Sequence, residues 1–433
     1  MILNISIKNF RSFKEEVTFS MVAESSKSKD QNVFVQSLAK GEDEVRLLNT
    51  ALIYGSNASG KSNLLRAVFD IIKFVTKNES SAGEKIVEYD PFLFDESTIN
   101  KAVEFFIEFV GKDNTKYKYE LHFLATEIIK EELLYWPNNK PVLLITRISS
   151  SDKESLIHNG QLGPSLGSNK TEIFKNQTFL SKFGKDLPND VISKVFIYLH
   201  EIRIINACNT AMINKAKNDV NSIFVENSEF REKVNSLIKF SDVGLEEIRI
   251  KKTEKDEFTF PEGFSEEEKN KIINRNLFLM YGMHKYKENT PFTAFQSLPF
   301  SEESGGTRSL YALGGKMLEV IENGGILFVD ELETSFHPYL SKLLICLFQN
   351  KRINKKNAQL IFTTHDTNLL DRTLFRKDQI WFVDKDEWGA TEFYSLQDFN
   401  EVREDTAFDK WYLAGKFGGI PNIKSLESLF VEK

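Results

Sequence analysis

Residues 55 to 62 read Gly55-Ser56-Asn57-Ala58-Ser59-Gly60-Lys61-Ser62, a full match to the pattern G-x-x-x-x-G-K-[ST]. That spacing does phosphate chemistry. Successive backbone N–H groups and the N-terminus of a following helix face phosphate oxygens, Lys61 neutralises the β/γ charge, and the Ser62 hydroxyl ligates Mg2+. Asn63, next along the helix-like run that starts at Ser62, completes the phosphate-binding set.

A second group of candidates closes the apolar run Ile326-Leu327-Phe328-Val329, where Asp330 and Glu331 stand side by side. Strand C-termini are where α/β sheets present ligands, so Asp330 reads as support for the Mg2+ shell and Glu331 as acceptor of a proton from an attacking water. An acidic pair after a strand is commonly a solvated turn; the complete phosphate loop upstream gives this one its weight. Ser304-Gly305-Gly306, before the helix-like run Leu310 to Ile321, has the composition of an anion nest at a helix start. It reads as a second phosphate contact. The run Leu360 to Thr364 delivers His365, either a hydrogen-bond donor to a γ-phosphate or an ordinary loop residue, and His337 carries the same two readings. His122, His158, His200 and His284 lack ligand spacing and are assigned no metal.

These residues need strands to deliver them. Thr50 to Tyr54 reads as a strand entering the phosphate loop, and Ser62 to Phe74 carries a helical apolar stripe after it. Residues 1 to 22 alternate as two strands around Asn9-Phe10-Arg11-Ser12-Phe13, with a polar loop from Ala23 to Asn32. Val103 to Val110 and Tyr117 to Phe123 flank a hairpin turn, and Glu131 to Trp136 with Pro141 to Ile148 makes another. Those strands are antiparallel and belong to a subsidiary sheet. From about Ser150 the pattern turns helical, at Asp190 to Ile205 and Glu229 to Phe240, after a turn-rich Gly160 to Asn169. Ser265 to Glu268 looks like a capping box. No heptad repeat is sustained, which argues against a coiled-coil arm. Strand-like runs return at Leu277 to Met283, Gly325 to Val329, Gln359 to Thr363 and Gln379 to Val383. The expected organisation is a nucleotide-binding head split by an insertion: residues 1–149, a mainly helical insertion at 150–276, and the rest of the head at 277–433.

Composition is globular: 433 residues, 41% hydrophobic and 27% charged, with 37 Phe for a large core. No apolar stretch reaches the ~20 residues that span a bilayer, and the start is strand-like rather than a leader, so no membrane association and a cytoplasmic location are expected. Cys208 and Cys346 sit among apolar neighbours and read as small core residues. A net charge of −7 gives no general attraction to nucleic acid.

The order phosphate loop, Ser-Gly-Gly, strand-Asp-Glu, strand-Thr-His resembles the ABC-type ATPase head of the SMC, RecF and OLD groups. Ile7 to Phe13, the loop Gly55 to Ser62, Asp330 to Pro338 and the closing Trp411-Tyr412-Leu413-Ala414-Gly415-Lys416-Phe417-Gly418-Gly419-Ile420-Pro421 resemble the OLD-like AAA ATPases of bacterial anti-phage systems, among them the ATPase subunits of PARIS and of RloB-linked abortive-infection pairs. The resemblance covers most of residues 1–125 and 277–425. It implies an α/β P-loop NTPase of ABC-head type with a mixed central sheet, to which the residue pattern adds the antiparallel subsidiary sheet and the mainly helical insertion. It also implies ATP and Mg2+ as ligands: Lys61 and Ser62 on phosphate and metal, Asp330 on the metal, Glu331 as base and His365 on the γ-phosphate. Ser304, Gly305 and Gly306 would complete the site of a second protomer, and Arg11 would approach the nucleotide. Two departures stand out: Tyr89 to Asp95 lacks the Gln such heads usually carry there, and Glu303 replaces the Leu typical of transporters.

The function so implied is an ATP-hydrolysing sensor or regulatory subunit that oligomerises around ATP and controls a separate toxic effector, a TOPRIM- or RloB-type nuclease. The segment after His365 is too short to be that nuclease itself. The alternative is a RecF- or SMC-like ATPase acting on DNA, for which Lys351 to Lys356 is the one visible basic run and a solvated helix end its plainer explanation. A transporter ATPase and a purely structural ATP are further readings.

Overall fold

The computed structural model describes residues 1–38, 44–77, 81, 83–138, 140–150, 153–159, 170–185, 190–252, 265–266, 278–287, 294–403 and 405–421. The chain opens with β1 (Ile2–Lys8), β2 (Val17–Ser20), β3 (Val33–Gln36), β4 (Val45–Leu48), β5 (Thr50–Gly55) and α1 (Lys61–Thr76). There follow β6 (Val103–Val110), β7 (Lys116–Phe123), β8 (Ile128–Trp136), β9 (Val142–Ser150), β10 (Lys153–Asn159), β11 (Lys170–Glu172), α2 (Phe179–Phe183), α3 (Asp190–Glu201) and β12 (Arg203–Asn206). Next come α4 (Thr210–Glu226), α5 (Ser228–Phe240), β13 (Glu247–Lys252), β14 (Phe278–Tyr286), β15 (Ala294–Pro299) and α6 (Gly305–Asn323). The last elements are β16 (Ile326–Asp330), α7 (Pro338–Gln349), β17 (Gln359–Thr363), β18 (Ile380–Lys385), β19 (Thr391–Ser395) and α8 (Phe408–Leu413).

The residues divide into two compact units: Met1–Ile204 with Gly324–Leu332 and Ile345–Lys433, and Ile205–Asn323 with Glu333–Leu344. The first unit holds the mixed sheet of the α/β fold, in the order β12-β16-β17-β5-β18-β19. Its central pairs β16/β17, β17/β5 and β5/β18 are parallel, and β18/β19 is antiparallel. Strands β5, β16 and β17 are buried at every position, as strands covered on both faces must be. The second sheet of this unit runs β11-β10-β9-β8-β7-β6-β1-β2. It is antiparallel as expected, but among the described residues it has eight strands against six in the mixed sheet, so it is the larger of the two. On β6 and β7 buried residues alternate with half-exposed ones, the period-2 signature of a sheet with one wet face.

Helix α1 draws the two sheets together. Leu64, Val68 and Ile71 share one core cluster with Ile5 and Ile7 of β1, Phe105 and Ile107 of β6, Ala51 and Ile53 of β5, Phe328 of β16 and Ile361 of β17. Each buried side chain of this kind contributes about 1.5–3 kcal/mol, so the helix that begins at the phosphate loop is firmly seated.

The unit boundaries lie elsewhere than at 149/150 and 276/277. Strands β10 and β11 extend the antiparallel sheet, and α2 and α3 pack against α1, which keeps these parts of the expected insertion in the first unit. The second unit contains α4, α5, α6 and the three-stranded antiparallel sheet β13-β14-β15, so the signature-like Ser304-Gly305-Gly306 belongs to it. Both cysteines are exposed, against the expectation of core positions; Cys208 Sγ lies 3.2 Å from Thr334 Oγ1. Apolar neighbours in sequence are no guide to burial where a helix face or turn points outward. Gly160 to Asn169, and two residues of the Ser265 to Glu268 box, lie outside the described residues. Among the described residues, no helix is long and apolar enough to cross a membrane.

Candidate functional site

Strand β5 ends at Gly55 and α1 begins at Lys61, so the loop between them is a strand-to-helix turn. Its two motif glycines are sterically required. A Cβ on Gly55 would lie 2.4 Å from the Val383 carbonyl oxygen and 2.5 Å from Ser59 Oγ; one on Gly60, whose φ is +117°, would lie 2.4 Å from Thr391 Oγ1. Ala58 also takes a left-handed φ of 64°. Asn57 and Ala58 are exposed at the loop's crest, whereas Ser59, Gly60 and Lys61 are buried beneath it. Lys61 Nζ donates to the carbonyl oxygens of Gly55 at 2.7 Å and Ser56 at 2.9 Å, which curls the ammonium over the loop.

Three parallel strands bring the remaining groups to the same sheet edge. Ser62 Oγ, on the first turn of α1, donates to Asp330 Oδ1 at 3.1 Å, and Asp330 is only 5% exposed at the end of β16. Glu331 follows with φ +56°, a strained conformation for a non-glycine residue that commonly marks a functional position. His365 stands just past β17 and is exposed. Glu331 and His365 line a cavity of about 370 Å³ together with Asn57, Ala58, Gly60, Lys61, Ser62 and Asn63. A hydroxyl and a buried carboxylate side by side are hard oxygen donors of the kind Mg2+ takes. Among the described residues no group of three His, Cys, Asp or Glu could hold a metal ion, so a cation at Ser62 and Asp330 would complete its shell with phosphate oxygens and water.

The structure adds residues that no motif flagged. Thr363, fully buried at the end of β17, donates from Oγ1 to Asp330 Oδ1 at 2.6 Å and accepts from the Glu331 N–H at 2.8 Å. Behind the loop, Ser12 Oγ accepts from Asn63 Nδ2 and from Thr391 Oγ1, both at 2.7 Å, and Thr391 Oγ1 also approaches the Ser59 carbonyl oxygen at 2.8 Å. Ser12 lies within the Asn9 to Phe13 stretch between the first two strands; Thr391 carries no sequence signal. Arg11, at φ +53°, pairs through Nε with Asp90 Oδ2 at 3.1 Å.

In the second unit, Ser304 caps α6. Its Oγ accepts from Thr307 N–H at 3.0 Å, and Ser304 and Gly305 are exposed. A Cβ on Gly306 would lie 3.1 Å from the Ser335 carbonyl oxygen, while Gly305 has open space around it. Glu303 Oε1 lies 2.8 Å from His284 Nε2, within hydrogen-bonding distance. His337 is exposed, with its ring against Tyr339. In the first unit, the basic run Lys351 to Lys356 is the turn that ends α7: Asn354 is buried, bonded through Nδ2 to Phe348 and Ala358 carbonyls, and the cationic side chains around it are exposed.

Two solved structures of the recombination mediator protein RecF of the RecFOR pathway, RecF-ATPrS and RecF-ATP, are similar to the chain. They are 16% and 15% identical with TM-scores of 0.35 and 0.34, and the alignments cover 91% of this chain and 98% and 97% of theirs. None of the curated proteins matches. Residues 51–371, well over half of the chain and inclusive of the loop, Asp330, Glu331 and His365, match the family described as "AAA domain, putative AbiEii toxin, Type IV TA system". On that match and this site, the chain belongs to that AAA-domain family.

Proposed function

We propose that this protein is an ATP-hydrolysing switch that dimerises around ATP and controls a separate toxic effector in a bacterial anti-phage system. The observation that carries the ATPase half is the convergence of Lys61, Ser62, Asp330, Glu331 and His365 at one sheet edge from three strands. In this reading the loop N–H groups and Lys61 hold the triphosphate, while Ser62 and Asp330 hold Mg2+. The cation, when bound, draws negative charge from the phosphate oxygens. Glu331 orients a water and takes its proton as the water oxygen bonds to the γ-phosphorus; the bond from that phosphorus to the β–γ bridging oxygen breaks, and ADP and phosphate leave. His365 donates to the γ-phosphate. Ser304, Gly305 and Gly306 of a second copy close over the same nucleotide, so binding favours the dimer and hydrolysis releases it.

The effector half is supported by the family description, which names a toxin and a toxin–antitoxin system. The effector would be a nuclease of TOPRIM or RloB type encoded beside this chain. Glu331→Gln and Lys61→Ala test the ATPase half. Glu331→Gln should lose turnover yet retain ATP and a longer-lived oligomer, and Lys61→Ala should lose nucleotide binding. Unchanged phosphate release by Glu331→Gln would remove Glu331 from the mechanism. Purification from the native operon should recover the effector as a second protein. A lone ATPase with no influence on phage plating, or one whose turnover rises on DNA, would favour a role on DNA instead.

A further inference from the structure

The closing motif Trp411 to Pro421 plays no part in the chemistry above, yet it is tied to the phosphate loop's first residue. After α8 the chain doubles back on three glycines with left-handed backbones, Gly415 at φ 74°, Gly418 at 67° and Gly419 at 63°. Three hydrogen bonds hold the returning segment to β18, β19 and α8. Tyr394 Oη donates to the Phe417 carbonyl at 2.6 Å, Tyr412 Oη donates to the Gly419 carbonyl at 2.8 Å, and Gly419 N–H donates to Asp384 Oδ2 at 2.8 Å. Rings fill the space beneath: Tyr412 stacks on Phe382 at 5.7 Å and tilts against Tyr54, while buried Phe417 meets Phe382 and Phe399. Burial, helped by the Asp384 charge, pushes the Tyr412 phenol up to about 12, and burial raises Tyr394 too, so both remain protonated donors at neutral pH.

The segment comes closest to the loop at a residue that has no side chain. The Cβ position of Gly419 is 3.5 Å from Gly55 Cα and 3.1 Å from the Val383 carbonyl oxygen, the same oxygen that confines Gly55 from β18. Gly55 in turn accepts from Lys61 Nζ. A chain of contacts therefore runs from Tyr412 and Asp384 through Gly419 and Gly55 to the phosphate-binding ammonium.

We propose that residues 411–421 buttress the phosphate loop, and that Gly419, Tyr412 and Asp384 are positioning residues for nucleotide binding. The inference rests on the reading that the loop binds ATP. Phosphate cradles work by fixed geometry, so a first residue free to drift weakens every contact that follows it. A methyl at 419 would touch Gly55 at ordinary contact distance but crowd the Val383 carbonyl oxygen at 3.1 Å, so that carbonyl, which also confines Gly55, must shift by a few tenths of an ångström, at a residue already held at φ +63°.

The test uses the full chain with Gly419→Ala, Tyr412→Phe and the control Gly83→Ala, which carries the same left-handed strain (φ 82°) with nothing within 4 Å. Binding of ATP and ADP, steady-state kinetics and thermal melting are measured on each. Gly419→Ala should raise Kd for both nucleotides and KM by about fivefold or more while kcat at saturation stays within about twofold, because the loss is in holding phosphate. Tyr412→Phe should weaken binding about threefold, the size of one buried hydrogen bond partly replaced. Gly83→Ala should bind as wild type does. A merely structural segment would lower kcat with the active fraction and leave KM in place. Gly419→Ala with Kd and KM within twofold of wild type overturns the proposal; if that variant does not fold, Tyr412→Phe with unchanged Kd does so. Wild type that binds no ATP would overturn the nucleotide reading and this inference with it.

Discussion

Thr363 Oγ1 donates to Asp330 Oδ1 at 2.6 Å, and the same oxygen accepts the Glu331 N–H at 2.8 Å. One buried hydroxyl thus orients the carboxylate that would hold Mg2+ and the backbone of Glu331, the proposed base. Thr363→Val keeps the shape and removes both bonds, at a stability cost of about 1–3 kcal/mol. Outer groups of this kind typically matter about 10- to 100-fold, so Mg2+-dependent turnover should fall by that order while folding persists. Phosphate release titrated against Mg2+ checks it, and an unchanged Mg2+ dependence would count against the assignment.

At Gly60, Thr391 leaves no room for a side chain. Gly60→Ala meets Thr391 Oγ1 at 2.4 Å and requires φ +117°, so nucleotide binding should be lost. Thr391→Ser keeps the hydroxyl bonds to Ser12 and Ser59 and should bind within about twofold of wild type, since the hydrogen bonds rather than the methyl brace the loop. Equilibrium ATP titration of both variants decides whether the brace works through space or through bonding.

In the antiparallel sheet, Arg147 and Glu131 are fully buried. Arg147 donates to the Gln177 and Phe174 carbonyls, and Glu131 accepts from Tyr119 Oη and from the Phe179 N–H. Arg147→Met strands the carboxylate without its cation and should cost about 3–5 kcal/mol. Adding Glu131→Gln should recover part of the loss. Denaturant melts of the single and double variants measure the coupling, and additive losses would show that the two side chains act independently.

Acid should loosen the second unit through Glu246. Bonds from Lys239 and Lys285 hold its carboxyl at about 2, down from 4.5. A depressed carboxylate adds stability that is whole above 4.5 and disappears as pH falls through 2. Glu246→Gln should therefore melt below wild type at pH 6, with the gap closing toward pH 2. Both lysines are exposed, so 1 M salt should shrink the gap at pH 6 as well. A gap that grows on acidification would contradict the sign.

The phosphate loop, the acidic pair and the His365 strand were legible because each is a short contiguous pattern whose spacing is set by local backbone geometry. Gln359–Thr363 and Val103–Val110 coincide with their apolar runs for the same reason. Strands β10 and β11 were not legible, since that stretch is polar and turn-rich and takes strand form by pairing, β10 to β9 and β11 to β10. Helix α4 was also missed: it starts on the Asn209 cap and buries only Ala216, Val220 and Phe224, a stripe too thin to stand out.

The sequence by itself marked the groups that we propose bind phosphate and the strand ends that deliver them. The tertiary structure alone decided that Thr363, Ser12, Thr391 and Gly419 support those groups. Each is a single ordinary residue, remote along the chain from what it braces, and it comes into reach only through the strand order β16-β17-β5-β18-β19 and the packing of the β1–β2 turn and the segment after α8 beside the loop. Hydrogen bonds act over about 3 Å, and no local pattern in a chain records which distant residues will come that close.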